Sequence, residues 1–127
     1  MQDFKKLRAW HLARDLSLDV IAAMPPSVGR KVPGLRSQAV RAATSVGANL
    51  AEGCSRPTRI EFLHFVEIAF GSLNELDAHL LLGRDAGILT TDRHAALQNT
   101  LVLTRRMLGS LIRTLQRCIA EETMQRR

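Results

Sequence analysis

Aromatic residues are scarce in this chain of 127 residues: they make up 4% of it, and Tyr is absent. The core must therefore consist mainly of Leu, Ala, Val and Ile. Leu and Ala favour helices, whereas β-branched and aromatic residues favour strands. The composition thus favours an all-α fold.

Cysteines and long apolar segments are also few. Cys54 and Cys118 are the only cysteines, and neither belongs to a pattern with metal-ligand spacing. No stretch approaches the roughly 20 apolar residues of a membrane-spanning helix, and the first residues contain no apolar signal core. We therefore expect a cytoplasmic protein with reduced thiols, no cofactor and no membrane association.

Basic residues outnumber acidic ones, with 18 Lys and Arg against 12 Asp and Glu, for a formal net charge of +6. Such a surplus suits an anionic partner, which could be nucleic acid, a membrane surface or an acidic protein. Many small domains are basic for no specific reason, so the charge alone does not choose a function.

The hydrophobic pattern predicts one domain, 1–127, with four helices at about 3–24, 35–52, 58–85 and 91–120. Apolar residues recur in these segments at steps of three and four, and the connections between them are short. Four amphipathic helices with short turns predict an antiparallel, up-down-up-down four-helix bundle.

Local signals mark several helix ends. Thr58 and Glu61 form a capping box, in which the two side chains satisfy exposed backbone donors of the first turn. Thr90 can cap the fourth helix. Gly53 and Gly87 are natural stops for the second and third helices.

No convincing catalytic constellation is present. Glu61 and His64 form one Glu-x-x-His pair, but a ferritin-like di-iron site needs two such pairs and two further glutamates. Glu75 and His79 lie four residues apart and are interpreted as a surface pair. We therefore expect no catalytic residue and no metal site.

The second helix contains an unusual polar residue. Asn49 shares the apolar stripe of Ala42 and Val46, so its amide is predicted to point inward, where it needs hydrogen-bond partners. The polar run at 71–76 of the third helix is their expected source. The structural interpretation is a network that fixes the register of the two helices, and the alternative is a ligand pocket. The predicted network consists of Asn49, Glu52, Ser72, Asn74 and Glu75.

Two sets of basic residues could contact phosphates. Arg36 and Arg41 lie on the second helix. The fourth helix carries Arg105, Arg106, Arg113 and Arg117. The last three follow one another at steps of seven and four and so share one face, which makes a credible phosphate-contacting stripe. A merely solvated helix face would give the same pattern.

The first three helices carry ordered motifs that resemble a known family. The first has Phe4, Leu7, Trp10 and Ala13. The second has Gln38, Arg41, Ala42, Ala43, Ser45, Val46, Asn49, Leu50, Ala51, Glu52 and Gly53. The third has Glu61, Phe62, Phe65, Ala69, Gly71, Ser72, Leu73, Glu75, Leu76 and Leu80. This pattern resembles the four-helix-bundle proteins encoded by intervening sequences of 23S ribosomal RNA genes, a family that includes the accessory variability determinant of diversity-generating retroelements.

The resemblance implies a ring-like homo-oligomer, a homopentamer with a central channel, and no enzymatic activity. Members that are similar to the retroelement accessory protein bind nucleic acid and a reverse transcriptase through a basic surface. The basic positions are not part of the shared motif, so the resemblance assigns no contact residue in this chain.

We therefore expect a non-enzymatic, cytoplasmic homo-oligomer that binds the backbone of RNA or DNA through its basic surface. The alternative is an oligomeric scaffold that docks a protein partner, such as a reverse transcriptase, and has no nucleic-acid role. The two hypotheses differ in whether the protein binds nucleic acid at low salt.

Overall fold

Four α-helices, preceded by a short 3₁₀ turn, form the bundle in the computed structural model, which describes residues 2–24, 26–27 and 31–126. The 3₁₀ turn spans Phe4–Lys6, and the helices are α1, Arg8–Ala23; α2, Leu35–Cys54; α3, Arg59–Asp85; and α4, Thr91–Gln125. These described ranges contain no strand. The predicted all-α class is therefore confirmed.

The helices pack as a four-helix bundle around one aliphatic core. α1 and α3 each contact both α2 and α4, whereas α2 and α4 do not contact each other within the described ranges and so lie diagonally. The largest fully buried side chains include Leu16, Met24, Leu50, Leu73, Leu76, Leu80, Leu101 and Leu108. The buried residues are mainly Leu, Ala and Val, as the composition predicted, but none of the buried residues in the described ranges is Ile.

Side-chain caps begin α3 and α4 where the local signals predict. The Thr58 oxygen accepts the Glu61 backbone N–H at 3.2 Å, and the Thr58 hydroxyl donates to the Glu61 carboxylate at 2.8 Å. The Thr90 oxygen accepts the Arg93 backbone N–H at 3.1 Å. Gly87 follows α3 with a φ of 76°, the left-handed conformation typical of a residue just after a helix.

The predicted first helix is interrupted near its start. Asp3 caps the 3₁₀ turn by accepting the Lys5 backbone N–H at 3.0 Å. Leu7 then adopts an extended conformation, with φ −85° and ψ 115°, and α1 begins at Arg8. The predicted start of the first helix at residue 3 is therefore wrong, because Leu7 separates the short turn from α1.

Gly53 does not end the second helix as predicted. α2 continues through it to Cys54, and Gly53 is buried in a helical conformation. A Cβ atom at this position would lie 2.8 Å from Phe62 Cδ1 and 3.0 Å from Phe65 Cβ. The glycine therefore allows α2 and α3 to approach each other, which is a packing role.

α4 is longer than predicted, since it continues beyond residue 120 to Gln125. Neither Gly nor Pro interrupts these residues, and Glu122 forms an ion pair with Arg59 at the start of α3. The segment that joins α1 to α2 lies partly outside the described residues, which omit 25 and 28–30.

Several apolar side chains of α3 are exposed in the single chain. The exposed fraction is 38% for Leu81, 52% for Leu82 and 66% for Ile60. A face of this kind can be buried only by another molecule. Across the described part of the chain, no helix combines the length and the apolar character that crossing a membrane requires.

Candidate functional site

The outer face of α4 carries three of the predicted phosphate-contacting residues. Arg106, Arg113 and Arg117 are exposed and lie on the same side of the helix. The ion pairs among the described residues do not include any of them. We call these three residues the arginine stripe. In the described part of the chain, no carboxylate forms an ion pair with the stripe.

Arg105, also predicted to contact phosphate, faces α3 instead. Its guanidinium donates to the Asp77 carboxylate at 2.8 Å and to the Asn74 amide oxygen at 3.3 Å. The other carboxylate oxygen of Asp77 accepts a hydrogen bond from the Gln98 amide at 2.9 Å. This cluster joins α3 to α4, so Arg105 is already engaged within the bundle.

The ionisation of Asp77 reflects this cluster. Burial raises the pKa of its carboxyl, but the hydrogen bonds from Arg105 and Gln98 and the charge of Arg105 outweigh burial and hold the pKa below its usual range. Asp77 and Gln98 were not among the predicted site residues. Gln98 and Arg105 lie 21 and 28 residues after Asp77. The spacing of residues within one helix does not predict a pairing between two helices.

The two predicted arginines of α2 lie apart from the stripe. Arg36 is half-buried, and its Nε donates to the backbone oxygen of Met24 at 2.6 Å. Arg41 is exposed. Because α2 is diagonal to α4 in the bundle, one chain does not bring these arginines onto the surface that holds the stripe.

The five residues of the predicted polar network fall into separate sets. Asn49 is half-buried, and its amide donates to the backbone oxygen of Ser45 at 2.8 Å and to the Ser45 hydroxyl at 3.0 Å. The Ser45 and Ser72 hydroxyls are 2.9 Å apart and connect α2 to α3. Ser45, four residues before Asn49, is the member that the prediction omitted.

The other three predicted residues point elsewhere. Asn74 belongs to the Arg105 cluster described above. Glu52 pairs with Arg56 on the exposed end of α2, and Glu75 pairs with His79 at 3.3 Å on the surface of α3. The structure therefore brings together Asn49 and Ser72 through Ser45, and it does not bring Glu52, Asn74 and Glu75 to them.

Replacing Asn49 by Leu is expected to lower the free energy of unfolding by about 1 kcal/mol, the usual contribution of one hydrogen bond. The effect is limited because the amide bonds chiefly to its own helix and is partly open to water. Urea denaturation would measure it, with Thr44→Leu on the exposed face of α2 as the control. A loss above about 3 kcal/mol would instead indicate the fully buried network of the prediction.

The described residues contain no group of three or more His, Cys, Asp or Glu side chains that could hold a metal ion. His64 is exposed, and Glu61 takes part in the cap of α3. Burial raises the pKa of the Cys54 thiol, and the charge of Asp3 raises it further. A protonated, buried thiol is a poor nucleophile, so Cys54 is best explained as a core residue.

Four packed helices with an aliphatic core and a basic outer face define a small all-α bundle protein. Residues 5–110 match the family described as 23S rRNA-intervening sequence protein, and the chain belongs to this family. This finding confirms the resemblance to the proteins encoded by intervening sequences of 23S ribosomal RNA genes, whereas the relation to the retroelement accessory protein stays a prediction. The matched region ends within α4, before Arg113 and Arg117.

A solved structure from Bacteroides thetaiotaomicron is similar in fold. It is described as a protein with unknown function from the S23 ribosomal protein family, and its TM-score to this chain is 0.76. The two sequences are 22% identical, and the similarity covers 82% of this chain and 97% of the other. No curated protein matches the sequence.

Proposed function

We propose that this protein is a non-enzymatic homo-oligomer that binds the phosphate backbone of RNA or DNA through the arginine stripe. The observation that carries the proposal is the stripe itself: three exposed guanidinium groups share one face of α4 without a carboxylate partner in the described chain. Guanidinium groups bind phosphate oxygens in a bidentate manner.

The spacing of the stripe suits an extended anionic ligand. With a rise of 1.5 Å per residue, Arg113 lies about 10 Å along the helix axis from Arg106 and about 6 Å from Arg117. Guanidinium groups at these intervals can each bind a different phosphate. The family description refers to 23S rRNA, which makes structured RNA the first ligand to test.

The same proposal includes an antiparallel, up-down-up-down order of the helices. Two contacts between α2 and α3 support it. Ser45 of α2 contacts Ser72 of α3, and Gly53, which comes later in α2, lies against Phe62, which comes earlier in α3. Such a pair of contacts is expected when two helices run in opposite directions. Short connections between consecutive helices also favour this order.

Oligomer formation is proposed because the outer face of α3 is apolar at several positions. Ile60 and Leu82 are 66% and 52% exposed, and Ile68 is 39% exposed. Burying apolar surface stabilises association by about 25 cal/mol per Å², so contact with a second copy of the chain at these positions would be favourable. The homopentamer implied by the family resemblance is the subunit number we propose.

Replacing Arg106, Arg113 and Arg117 together by Ala is expected to abolish most of the salt dependence of binding. Three phosphate contacts give a slope of about −2.7 for log K against log salt on duplex ligands, so affinity falls about 40-fold between about 50 and 200 mM salt. Fluorescence anisotropy with labelled structured RNA and duplex DNA measures both the affinity and the slope. In the triple variant, the slope should approach zero.

Two controls accompany this measurement. Arg84→Ala removes an exposed cation of α3 that is paired with Asp85 and should change the affinity little. Arg41→Ala tests the separate basic position on α2. A slope that survives the triple variant but disappears in Arg41→Ala would contradict the assignment to α4. Light scattering on the same samples gives the number of subunits.

The scaffold hypothesis is the second candidate function, and the exposed apolar residues of α3 favour it. It requires a protein partner, such as a reverse transcriptase, to cover that face. Absence of nucleic-acid binding at low salt, together with loss of partner capture in Leu82→Glu, would favour the scaffold over the nucleic-acid proposal.

A further inference from the structure

A shallow groove lies between the start of α1 and the middle of α4. Its volume is about 220 Å³, and its walls include Leu7, Arg8, Met107, Ser110, Leu111 and Thr114. Leu7, Met107 and Leu111 are half-buried and form an apolar floor. Arg8, Ser110 and Thr114 are exposed and form a polar rim.

The groove lies beside the arginine stripe. Ser110 follows Arg106 by four residues and precedes Arg113 by three, so the three side chains are neighbours on the surface of α4. Thr114 likewise precedes Arg117 by three residues, so these two side chains are also neighbours. Arg8 lies on the opposite wall, and the ion pairs among the described residues do not include it. Cationic groups therefore flank the apolar floor on both sides.

Two larger grooves are less suited to an anionic ligand. The groove between the end of α1 and the start of α4 has a volume of about 370 Å³, but Asp19 lines it opposite Arg93. A third groove, of about 330 Å³, contains Arg56 and Arg59. These two arginines already pair with Glu52 and Glu122.

We propose that the groove beside the stripe accommodates one unpaired base of a single-stranded RNA or DNA whose phosphates bind the arginines. This inference rests on the proposed function. A base has apolar faces, which suit a floor of Leu and Met, and its edge has donors and acceptors, which suit the rim hydroxyls. The exposed Arg8 guanidinium can stack on the base or bind the next phosphate.

The size of the groove limits its ligand. Its volume lies below the range of about 300–1,000 Å³ for pockets that enclose a drug-sized molecule, which restricts the occupant to a small group. Bases within a duplex are stacked and paired, so entry would require one of them to be flipped out. The groove therefore favours single strands, whereas the stripe alone accepts both forms.

The test fills the groove without removing any charge. In Ser110→Phe, the aromatic ring should occupy the space of the base. Ser37→Phe places the same ring on an exposed position of α2, the helix diagonal to α4, and is the matched control. Anisotropy would use labelled oligo-U and oligo-dT strands of about 12 nucleotides, within the usual site sizes of single-strand binders, and a DNA duplex of equal length.

Ser110→Phe should weaken binding of the single strands by about tenfold, the usual effect of losing one stacked base. Binding of the duplex should change by less than about twofold, since the phosphate contacts remain. Ser37→Phe should change neither. Thr114→Phe is an independent variant with the same expected result, and circular dichroism verifies the helical content of each variant.

The possible outcomes separate this inference from the proposed function. If Ser110→Phe and Thr114→Phe change single-strand and duplex binding equally, or change neither, the groove does not bind a base, although the stripe can still bind phosphates. If the wild type binds the duplex but not the single strands, the groove likewise does not bind a base. If the wild type binds no nucleic acid at about 50 mM salt, both proposals fail. Stronger binding of oligo-U than of oligo-dT would identify RNA as the source of the base.

Discussion

Replacing Asp77 by Ala is expected to lower the free energy of unfolding by about 3 kcal/mol, because hydrogen bonds to charged groups contribute about 1.5–3 kcal/mol each. The substitution removes the acceptor for Gln98 and for Arg105 at the same time. The Asp77 side chain is 22% exposed and that of Arg105 is 33% exposed, so water replaces these bonds only in part. Urea denaturation with a fitted m-value would measure the loss.

Asp85→Ala is the matched control for this prediction. Asp85 also lies on α3 and pairs with the adjacent Arg84, but its side chain is 67% exposed. Exposed ion pairs contribute little, so the control should lose less than about 0.5 kcal/mol. A double-mutant cycle with Arg105→Ala isolates the pairwise energy, expected at about 1 kcal/mol or more for contacting residues. Equal losses in Asp77→Ala and Asp85→Ala would contradict a structural role for the cluster.

The stability should also depend on pH through Asp77. Burial raises the pKa of its carboxyl, but the bonds from Arg105 and Gln98 outweigh burial and depress it. The unfolded chain therefore takes up the proton first as the pH falls. The stabilisation is fully present above about pH 4, the ordinary pKa of Asp, and is lost as the pH falls through the depressed folded value. Asp77→Asn should show a smaller loss of stability in this acidic range than the wild type.

Much of the fold could be predicted because its causes are local. The starts of α3 and α4 depend on hydroxyl groups of Thr58 and Thr90 that reach a backbone N–H three residues away. Helical periodicity likewise identifies which side of a segment is apolar. The break at Leu7 was missed because Leu7 is apolar and lies three residues from both Phe4 and Trp10, so an extended residue there leaves the helical spacing of apolar residues unchanged.

The candidate site was only partly predictable for a related reason. Spacing correctly groups residues on one helix, as it does for Arg106, Arg113 and Arg117. The adjacent Arg105 is rotated by about 100° around the axis, and its partner, Asp77, lies 28 residues away. Periodicity gives the direction of a side chain, whereas the partner depends on which helix lies on that side. For the same reason, Asn49 was assigned a partner across the bundle when Ser45 on its own helix was sufficient.

Gly53→Val is expected to lower the free energy of unfolding by about 3 kcal/mol, near the upper end of the usual cost of overpacking a core. The new Cβ would lie 2.8 Å from Phe62 Cδ1 and 3.0 Å from Phe65 Cβ. The Phe62 ring is buried, with 6% of its surface accessible, and Phe65 Cβ is held by the backbone of α3. Neither can move aside easily, so α2 and α3 must separate.

Gly71→Val distinguishes this contact from the general effect of valine in a helix. Gly71 is also helical, but it is exposed, and no atom lies within 4 Å of the position that its Cβ would take. Since valine has a slightly higher helix propensity than glycine, this variant should be unchanged or gain up to about 0.5 kcal/mol. Thermal melts at one protein concentration avoid a shift caused by subunit association. Equal melting temperatures for the two variants would mean that α2 and α3 can separate at Gly53 without loss. In that case, the close approach of these helices would not be what requires a glycine there.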